Sequence, residues 1–232
     1  MPRTQPPLYL HEEIMLLALR DEAGTVVTGS MYAYALGGAI LAELLLHGRI
    51  SVEESKKRLV NLVSDQPVGE PVIDECLDKI ADAKRRANLQ SWVSRFANMK
   101  NLHHRIAQGL SDRGILRADE KTVLLIFKRK VYPEINPQPE RRLIERLRKA
   151  IFGDGVSIDP RTVILISLAS GASLLSIPFA KSDLKRRKKR IEQIVNGEMT
   201  GKATKEAVEA AQAAVMVACV LPSVTATVIM SH

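Results

Sequence analysis

Aromatic residues and cysteines are scarce in this chain of 232 residues. Phe, Trp and Tyr make up 4% of it, and there are two cysteines, Cys76 and Cys219. With 46% hydrophobic residues but so few rings, the composition excludes an aromatic-rich core and favours aliphatic helices over a β-sandwich. The cysteines lie in separate apolar runs without metal-binding spacing. This pattern predicts buried free thiols in a reducing compartment.

Sequence patterns that accompany catalysis are also missing. None of the five histidines forms an HExxH pair, and no GxSxG turn offers a serine nucleophile. Residues 197–202 imitate a phosphate-binding loop, but the spacing between the two glycines is one residue too short. In addition, Ala203 stands where the Mg²⁺-binding hydroxyl should be. The adjacent acids Glu12 and Glu13 face different ways on a helix, so we expect solvated side chains at a helix start. We therefore expect no enzyme, no metal and no cofactor.

One long uncharged run occurs near the carboxyl end. Residues 213–230 carry no charge, and their number is about the lower limit for a membrane-spanning helix. Because Ala, Val, Ser and Thr dominate the run, we expect a buried helix, with a membrane anchor as the alternative. The polar, proline-rich start does not resemble a signal peptide. We expect a short tail over residues 1–7 and a single domain over residues 8–232.

Apolar spacing predicts amphipathic helices around one apolar central helix. Residues 31–47 are apolar almost all round, with Glu43 as the only charge, and such a helix belongs at the centre of a bundle. Ser51 with Glu54 resembles a capping box, and residues 58–63 fit a strand or the end of a helix. Further helices are predicted over residues 8–20, from Pro71, from Asn88 as N-cap, over 102–114 and 139–152, from Ser182 as N-cap to Val195, and from Thr204. An apolar helix is predicted from Asp159-Pro160 to Ser176.

Residues 122–131 form the clearest non-helical segment, with β-branched and aromatic residues before Tyr132-Pro133. They predict a β-hairpin around residues 126–130. Leu125 and Phe127 share one face of such a strand, and three basic residues follow them: Lys128, Arg129 and Lys130. The expected fold class is mainly α: a single-domain helical bundle with amphipathic helices around an apolar central helix and a projecting β-hairpin.

The net charge of +8 is unevenly distributed. Residues 1–120 hold 15 basic and 16 acidic side chains, whereas residues 121–232 hold 19 and 10. Two short clusters, residues 121–149 and 181–190, each carry a net charge of +6. Such clusters indicate an anionic partner.

Three partners fit this pattern. An apolar hairpin beside lysines suits an anionic phospholipid surface, which is the leading hypothesis. A nucleic acid bound by the 181–190 cluster is an alternative, although the scarcity of aromatic residues for base stacking argues against it. The third hypothesis is an interaction scaffold in which the hairpin joins copies of the chain into a homo-oligomer.

Six motifs in order resemble the Golgi phosphoprotein 3 family, and together they cover roughly residues 8–220. They are Leu10-x-Glu12-Glu13-x-x-Leu16-Leu17-x-Leu19-x-Asp21-x-x-Gly24, then Leu41-x-Glu43-Leu44-x-Leu46-x-Gly48-Arg49-Ile50, Pro67-x-Gly69, Asp74-Glu75-x-Leu77, Trp92 and Gly114-Ile115-Leu116. The short start and the alanine-rich end are more similar to bacterial or archaeal members.

The resemblance implies a cytoplasmic, non-enzymatic protein that lies at a membrane periphery and binds phosphatidylinositol 4-phosphate. It also implies an adaptor role in which the cytosolic tails of membrane enzymes, such as glycosyltransferases, are partners. The positions that match the family's headgroup pocket are Thr28, Gly37, Lys100 and His103. In the eukaryotic members a Trp and three Arg occupy these positions. Lysine and a neutral imidazole do not reproduce arginine's bidentate grip on phosphate, so we expect weaker headgroup selectivity.

Overall fold

The computed structural model describes residues 6–20, 24–27, 29–123, 127–155 and 157–199. Within this part the chain is mainly helical, and one continuous hydrophobic core joins the first helix to the last described one. The helices are α1 (Leu10–Leu17), α2 (Ser30–Leu46), α3 (Pro71–Ala81), α4 (Leu89–Ala97), α5 (Leu102–Asp112), α6 (Gln138–Phe152), α7 (Pro160–Gly171), α8 (Lys181–Arg186) and α9 (Lys188–Val195). The strands are β1 (Ile50–Val52), β2 (Val60–Leu62), β3 (Asp119–Val123) and β4 (Phe127–Val131).

The second helix, α2, lies at the centre of the bundle, as its apolar sequence predicts. Its residues from Ala35 to Leu45 are all buried, including the Glu43 carboxylate. Helices α1, α3, α4 and α7 pack around it. Gly37 lets α4 approach closely, since a Cβ atom at this position would lie 2.6 Å from the carbonyl oxygen of Val93.

Two predicted caps begin the helices that they were expected to begin. The Asn88 side chain accepts a hydrogen bond from the Ser91 N–H at 2.9 Å and begins α4. Asp159 accepts one from the Thr162 N–H at 2.9 Å and begins α7. Each cap satisfies a backbone donor that has no partner inside its own helix.

Two other predicted caps are wrong. Ser51 lies in β1 opposite Asn61, because buried Ile50 precedes it and the alternation of a strand prevails over a capping box with Glu54. Ser182 lies inside α8, whose N-cap is Ala180, and the helix predicted from Ser182 to Val195 is interrupted at Arg187. In addition, α7 ends at Gly171, and a 3₁₀ turn over Leu174–Ser176 follows it.

The predicted hairpin is present. Strands β3 and β4 pair antiparallel, with Asp119 opposite Val131 at the base and Val123 opposite Phe127 towards the tip. The Tyr132 N–H, just after β4, donates a hydrogen bond to the carbonyl oxygen of Gly24 at 2.9 Å. Only glycine suits this contact, because Gly24 has φ +70° and a Cβ atom there would overlap the backbone of Tyr132. The loop after α1 therefore holds the base of the hairpin.

None of the helices in the described part of the chain is both long and apolar enough to cross a membrane. The uncharged run over residues 213–230 lies outside the described residues, as do Cys219 and the helix predicted from Thr204.

Candidate functional site

A surface cavity of about 220 Å³ lies where the beginnings of α2 and α5 meet. Its lining is partly apolar and includes Tyr32 and Leu36 from α2. The segment that joins α4 to α5 supplies the other wall, with Met99, Asn101 and His103. Asn101 adopts the left-handed conformation at φ +56°, which turns the chain into α5 beside the cavity.

The four positions expected for a headgroup pocket relate differently to this cavity. His103 lines it, and exposed Lys100 stands between two lining residues, Met99 and Asn101. Thr28 lies outside the described residues. Gly37 is buried against α4, where its lack of a side chain serves helix packing.

Two adjacent imidazoles stand beside the cavity. The ring centroids of His103 and His104 are 3.8 Å apart, and His104 Nδ1 lies 2.5 Å from the Tyr132 hydroxyl. Burial, then His104 and the positive charge of Lys130, hold the pKa of His103 below its ordinary value. Burial and Lys130 likewise lower the pKa of His104. Both rings are therefore neutral at pH 7 and offer a hydrogen-bond donor rather than a charge.

The base of the hairpin and the cavity belong to one surface. Lys130 on β4 is exposed and acts electrostatically on both imidazoles, and Tyr132 contacts His104. Neither Lys100 nor Lys130 has an ion-pair partner among the described residues. We call Lys100, His103 and Lys130 the basic rim.

The remaining hairpin residues are described only in part. The backbone of Phe127, Lys128 and Arg129 runs in β4. Leu125 lies outside the described residues. The role predicted for these four side chains in contacting a membrane stays a prediction.

Two arginines of the second basic cluster, residues 181–190, hydrogen-bond to the backbone of α6 and so stabilise the fold. Arg187 Nη2 donates to the Phe152 carbonyl oxygen at 2.7 Å, and Arg190 donates to the Ala150 carbonyl oxygen at 2.8 Å. These contacts satisfy carbonyls of the last turn of α6, where cations are also favoured by the helix dipole. The surface that this cluster offers to a nucleic acid is therefore smaller than its sequence suggests.

Three arginine–glutamate pairs, in which the glutamates are buried and the arginines are partly exposed, form a belt where α1, α2, α6, α7 and the end of α5 meet. Arg113 lies 2.6 Å from Glu12, Arg146 lies 2.7 Å from Glu13, and the Arg161 guanidinium donates to both carboxylate oxygens of Glu43 at 2.6 and 3.0 Å. We call these pairs the ion-pair belt. Glu43 also accepts the Leu10 N–H at 2.6 Å.

The belt corrects the expectation that Glu12 and Glu13 are solvated, because both are buried. Their position at a helix start was predicted, but the arginines that make burial tolerable follow about a hundred or more positions later in the chain. No local spacing could reveal these partners. The hint in the sequence was that Glu43 stands alone in an apolar helix, which requires a cation from elsewhere.

The described residues contain no group of three or more His, Cys, Asp or Glu side chains that could hold a metal ion. Cys76 is a buried free thiol, and burial raises its pKa. A thiol in this environment stays protonated and unreactive.

The fold and the site define a class: a helical bundle with a β-hairpin whose base lies near a partly apolar surface cavity and two exposed lysines. The family model of Golgi phosphoprotein 3 (GPP34) matches residues 10–211, and the chain belongs to this family. Among its relatives is the vacuolar protein sorting-associated protein 74 of Eremothecium gossypii, with 26% identity over 216 residues. That match covers 79% of this chain and 65% of the relative's length.

The family signature coincides with the parts that fix the architecture. Glu12, Glu13 and Glu43 of the first two motifs form the ion-pair belt, and Gly24 holds the base of the hairpin. These motifs therefore report the fold rather than a headgroup specificity.

Proposed function

We propose that this protein is a non-enzymatic peripheral membrane protein that binds anionic phospholipid headgroups, with phosphatidylinositol 4-phosphate as the candidate headgroup. The observation that carries the proposal is the basic rim. The half-buried imidazole of His103 lines the cavity, Lys100 lies between two lining residues in the chain, and Lys130 acts electrostatically on His103 from the base of the hairpin. Neither lysine forms an ion pair with a described residue. A cation without a partner remains available to an anion from outside.

The chemistry of the rim suits a phosphate monoester. Lys100 and Lys130 supply charge, and the neutral imidazole of His103 supplies a hydrogen bond from inside the cavity. The apolar hairpin residues Leu125 and Phe127 enter the headgroup region, and burying both contributes roughly 3–6 kcal/mol before ordering costs. Since no arginine grips the phosphate, discrimination between acidic lipids is small.

An adaptor role belongs to the same proposal. The relative from Eremothecium gossypii is named for vacuolar protein sorting, and family membership supports a comparable role at a cytosolic membrane face. The partners in that role are the cytosolic tails of membrane enzymes. A protein that holds lipid at one surface keeps its other faces free for such tails.

Binding to liposomes that differ only in headgroup tests the proposal, with duplex DNA as the competitor. Acidic liposomes should bind and neutral ones should not, and binding should weaken steeply from low to physiological salt, because each lysine near the surface contributes roughly 1 kcal/mol. Retention on DNA at a salt concentration that removes the protein from liposomes would reverse the choice of partner.

The contribution of the hairpin is tested by Leu125→Ser combined with Phe127→Ser. Loss of liposome binding with an almost unchanged thermal midpoint supports membrane contact. A midpoint lowered by many degrees would make these residues part of the core. A stable variant that changes from oligomer to monomer would instead assign the hairpin to self-association.

A further inference from the structure

A second and larger cavity, of about 470 Å³, lies at the other end of α5 from the basic rim. The two sites are separated by the 11 residues of this helix, about 16 Å along its axis. The volume is within the range of small-ligand sites, about 300–1,000 Å³. Its charged lining consists of Glu13, Arg113, Arg142, Arg146, Asp159 and Arg161.

The wall of this cavity binds a non-helical segment of the chain itself. Arg113 Nη2 donates a hydrogen bond to the Pro6 carbonyl oxygen at 2.5 Å, and Arg161 Nη2 donates one to the Leu8 carbonyl oxygen at 3.3 Å. The segment held in this way, residues 6–8, itself lines the cavity. Arg113 Nη2 also lies 3.4 Å from the Pro7 carbonyl oxygen, so the two guanidinium groups together meet three successive backbone carbonyls, an arrangement suited to binding a peptide backbone.

Polar atoms in the cavity remain unused. Glu13 is only 5% exposed, and its Oε2 atom has no hydrogen-bond partner among the described residues, although Oε1 binds Arg146. The buried Nε atom of Arg146 also has none within that part of the chain. A buried polar group without a partner costs free energy, which a ligand can recover.

The excess of donors favours an anionic ligand. Arg142 is exposed and forms no ion pair with any described residue, whereas Glu13 and Asp159 already face arginine or backbone N–H groups. The beginnings of α1, α6 and α7 border the cavity through Leu8, Pro139 and Asp159. Helix N-termini carry partial positive charge and stabilise anions.

We propose that this cavity binds the carboxylate-bearing end of an extended peptide from a partner protein. Arg142 and Arg146 receive the carboxylate, and Glu13 Oε2 accepts a backbone N–H of the same peptide. Arg146, at 2.7 Å from Glu13, neutralises the acid and prevents it from repelling the ligand. This site is distinct from the basic rim and does not rest on lipid binding.

The test titrates the full-length protein with the peptide acetyl-Pro-Pro-Leu, while the arginine Nε–H resonances are followed by NMR. The free-acid peptide should bind saturably and shift the resonances of Arg142 and Arg146. The same peptide with a carboxyl-terminal amide should bind at least about tenfold more weakly, because it lacks the charge-assisted hydrogen bonds. Inorganic phosphate, which offers no backbone N–H to Glu13, should also bind more weakly.

Arg142→Gln should weaken binding of the free-acid peptide by about tenfold. Lys149→Gln removes the same charge from an exposed position of α6 outside this cavity and should leave binding unchanged. Equal binding of the acid and the amide would overturn the carboxylate assignment. Phosphate binding as tight as the peptide would reduce the cavity to a simple anion site, and the absence of saturable binding would overturn the proposal.

Discussion

The ion-pair belt and the basic rim are both charged, but they differ in balance. In the belt each of three glutamates lies within 2.7 Å of an arginine, and all three carboxylates are buried. In the rim, Lys100 and Lys130 are exposed, and neither forms an ion pair with a described residue, although Glu120 lies opposite Lys130 in the hairpin. Charge within the first region is used to hold helices together, whereas charge within the second remains available to a ligand.

The side chains differ accordingly. The belt uses arginine, whose planar fork grips Glu43 through two hydrogen bonds. The rim uses lysine and histidine, which bind as point charge and single donor. The net charge of +8 alone does not reveal which charged residues stabilise the fold and which are available to a ligand, because each arginine–glutamate pair adds zero to the net charge. The location of unbalanced charge is therefore more informative than its amount.

The largest effect on stability is expected from breaking the belt. Glu43→Gln leaves Arg161 without its carboxylate and weakens the contact with the Leu10 N–H. Removing one partner of a buried ion pair is strongly destabilising, so the free energy of unfolding should fall by about 3 kcal/mol. Urea unfolding followed by circular dichroism measures this change.

The matched control is Glu75→Gln. Glu75 also pairs with an arginine, Arg105, but the pair is partly exposed. Its loss should cost less than about 1 kcal/mol. Equal losses for the two variants would mean that burial does not distinguish the belt from surface pairs.

Substitutions at Gly37 distinguish a role in helix packing from a role in ligand binding. Gly37→Ala places a Cβ atom 2.6 Å from a backbone carbonyl oxygen that cannot easily move, so the free energy of unfolding should fall by about 2 kcal/mol. Gly109→Ala, in α5, has open space and should be neutral or slightly stabilising.

Gly37→Arg should unfold the protein rather than strengthen lipid binding. A folded arginine variant with higher lipid affinity would contradict the packing role.

The smallest effect on stability is expected from the pair of acids Glu134 and Glu140, which links the segment after the hairpin to α6. Burial, and then Glu140, raise the pKa of Glu134 to about 7. Because this pKa is raised on folding, the stability that protonation provides is present below about pH 4.5 and is lost as pH rises through about 7.

Glu134→Gln should therefore stabilise the protein at pH 8 relative to wild type, by less than about 1 kcal/mol since the side chain is partly exposed. The gain should shrink towards pH 5, and exposed Glu145→Gln should show no such trend. Thermal unfolding at the two pH values measures the difference. A gain that is independent of pH would show that the pair does not share a proton.

The fold was predictable because its signals are local. The all-round apolar sequence of α2, the caps at Asn88 and Asp159, and the β-branched residues near the hairpin each depend on nearby positions. Ser51 shows the limit of such reasoning. Its local pattern predicted a helix cap, but strand pairing opposite Asn61 determines its conformation instead.

The sites were less predictable because they depend on long-range contacts. His103 was expected at a headgroup pocket through a family resemblance, and its proximity to Lys130 was not visible in the sequence. The second cavity was missed altogether, since Glu13, Arg113 and Arg161 come from distant segments. Only the three-dimensional structure brings these residues together.

Liposome affinity of two charge-matched double variants tests the central claim most directly. One variant combines Lys100→Gln with Lys130→Gln in the rim, and the other combines Lys149→Gln with exposed Lys189→Gln elsewhere. Both remove two positive charges, but only the first pair belongs to the basic rim. The rim variant should lose about 2 kcal/mol, or roughly thirtyfold in affinity for acidic liposomes, and the other should lose less than about threefold. Equal losses would show that net charge, and not the basic rim, binds the membrane.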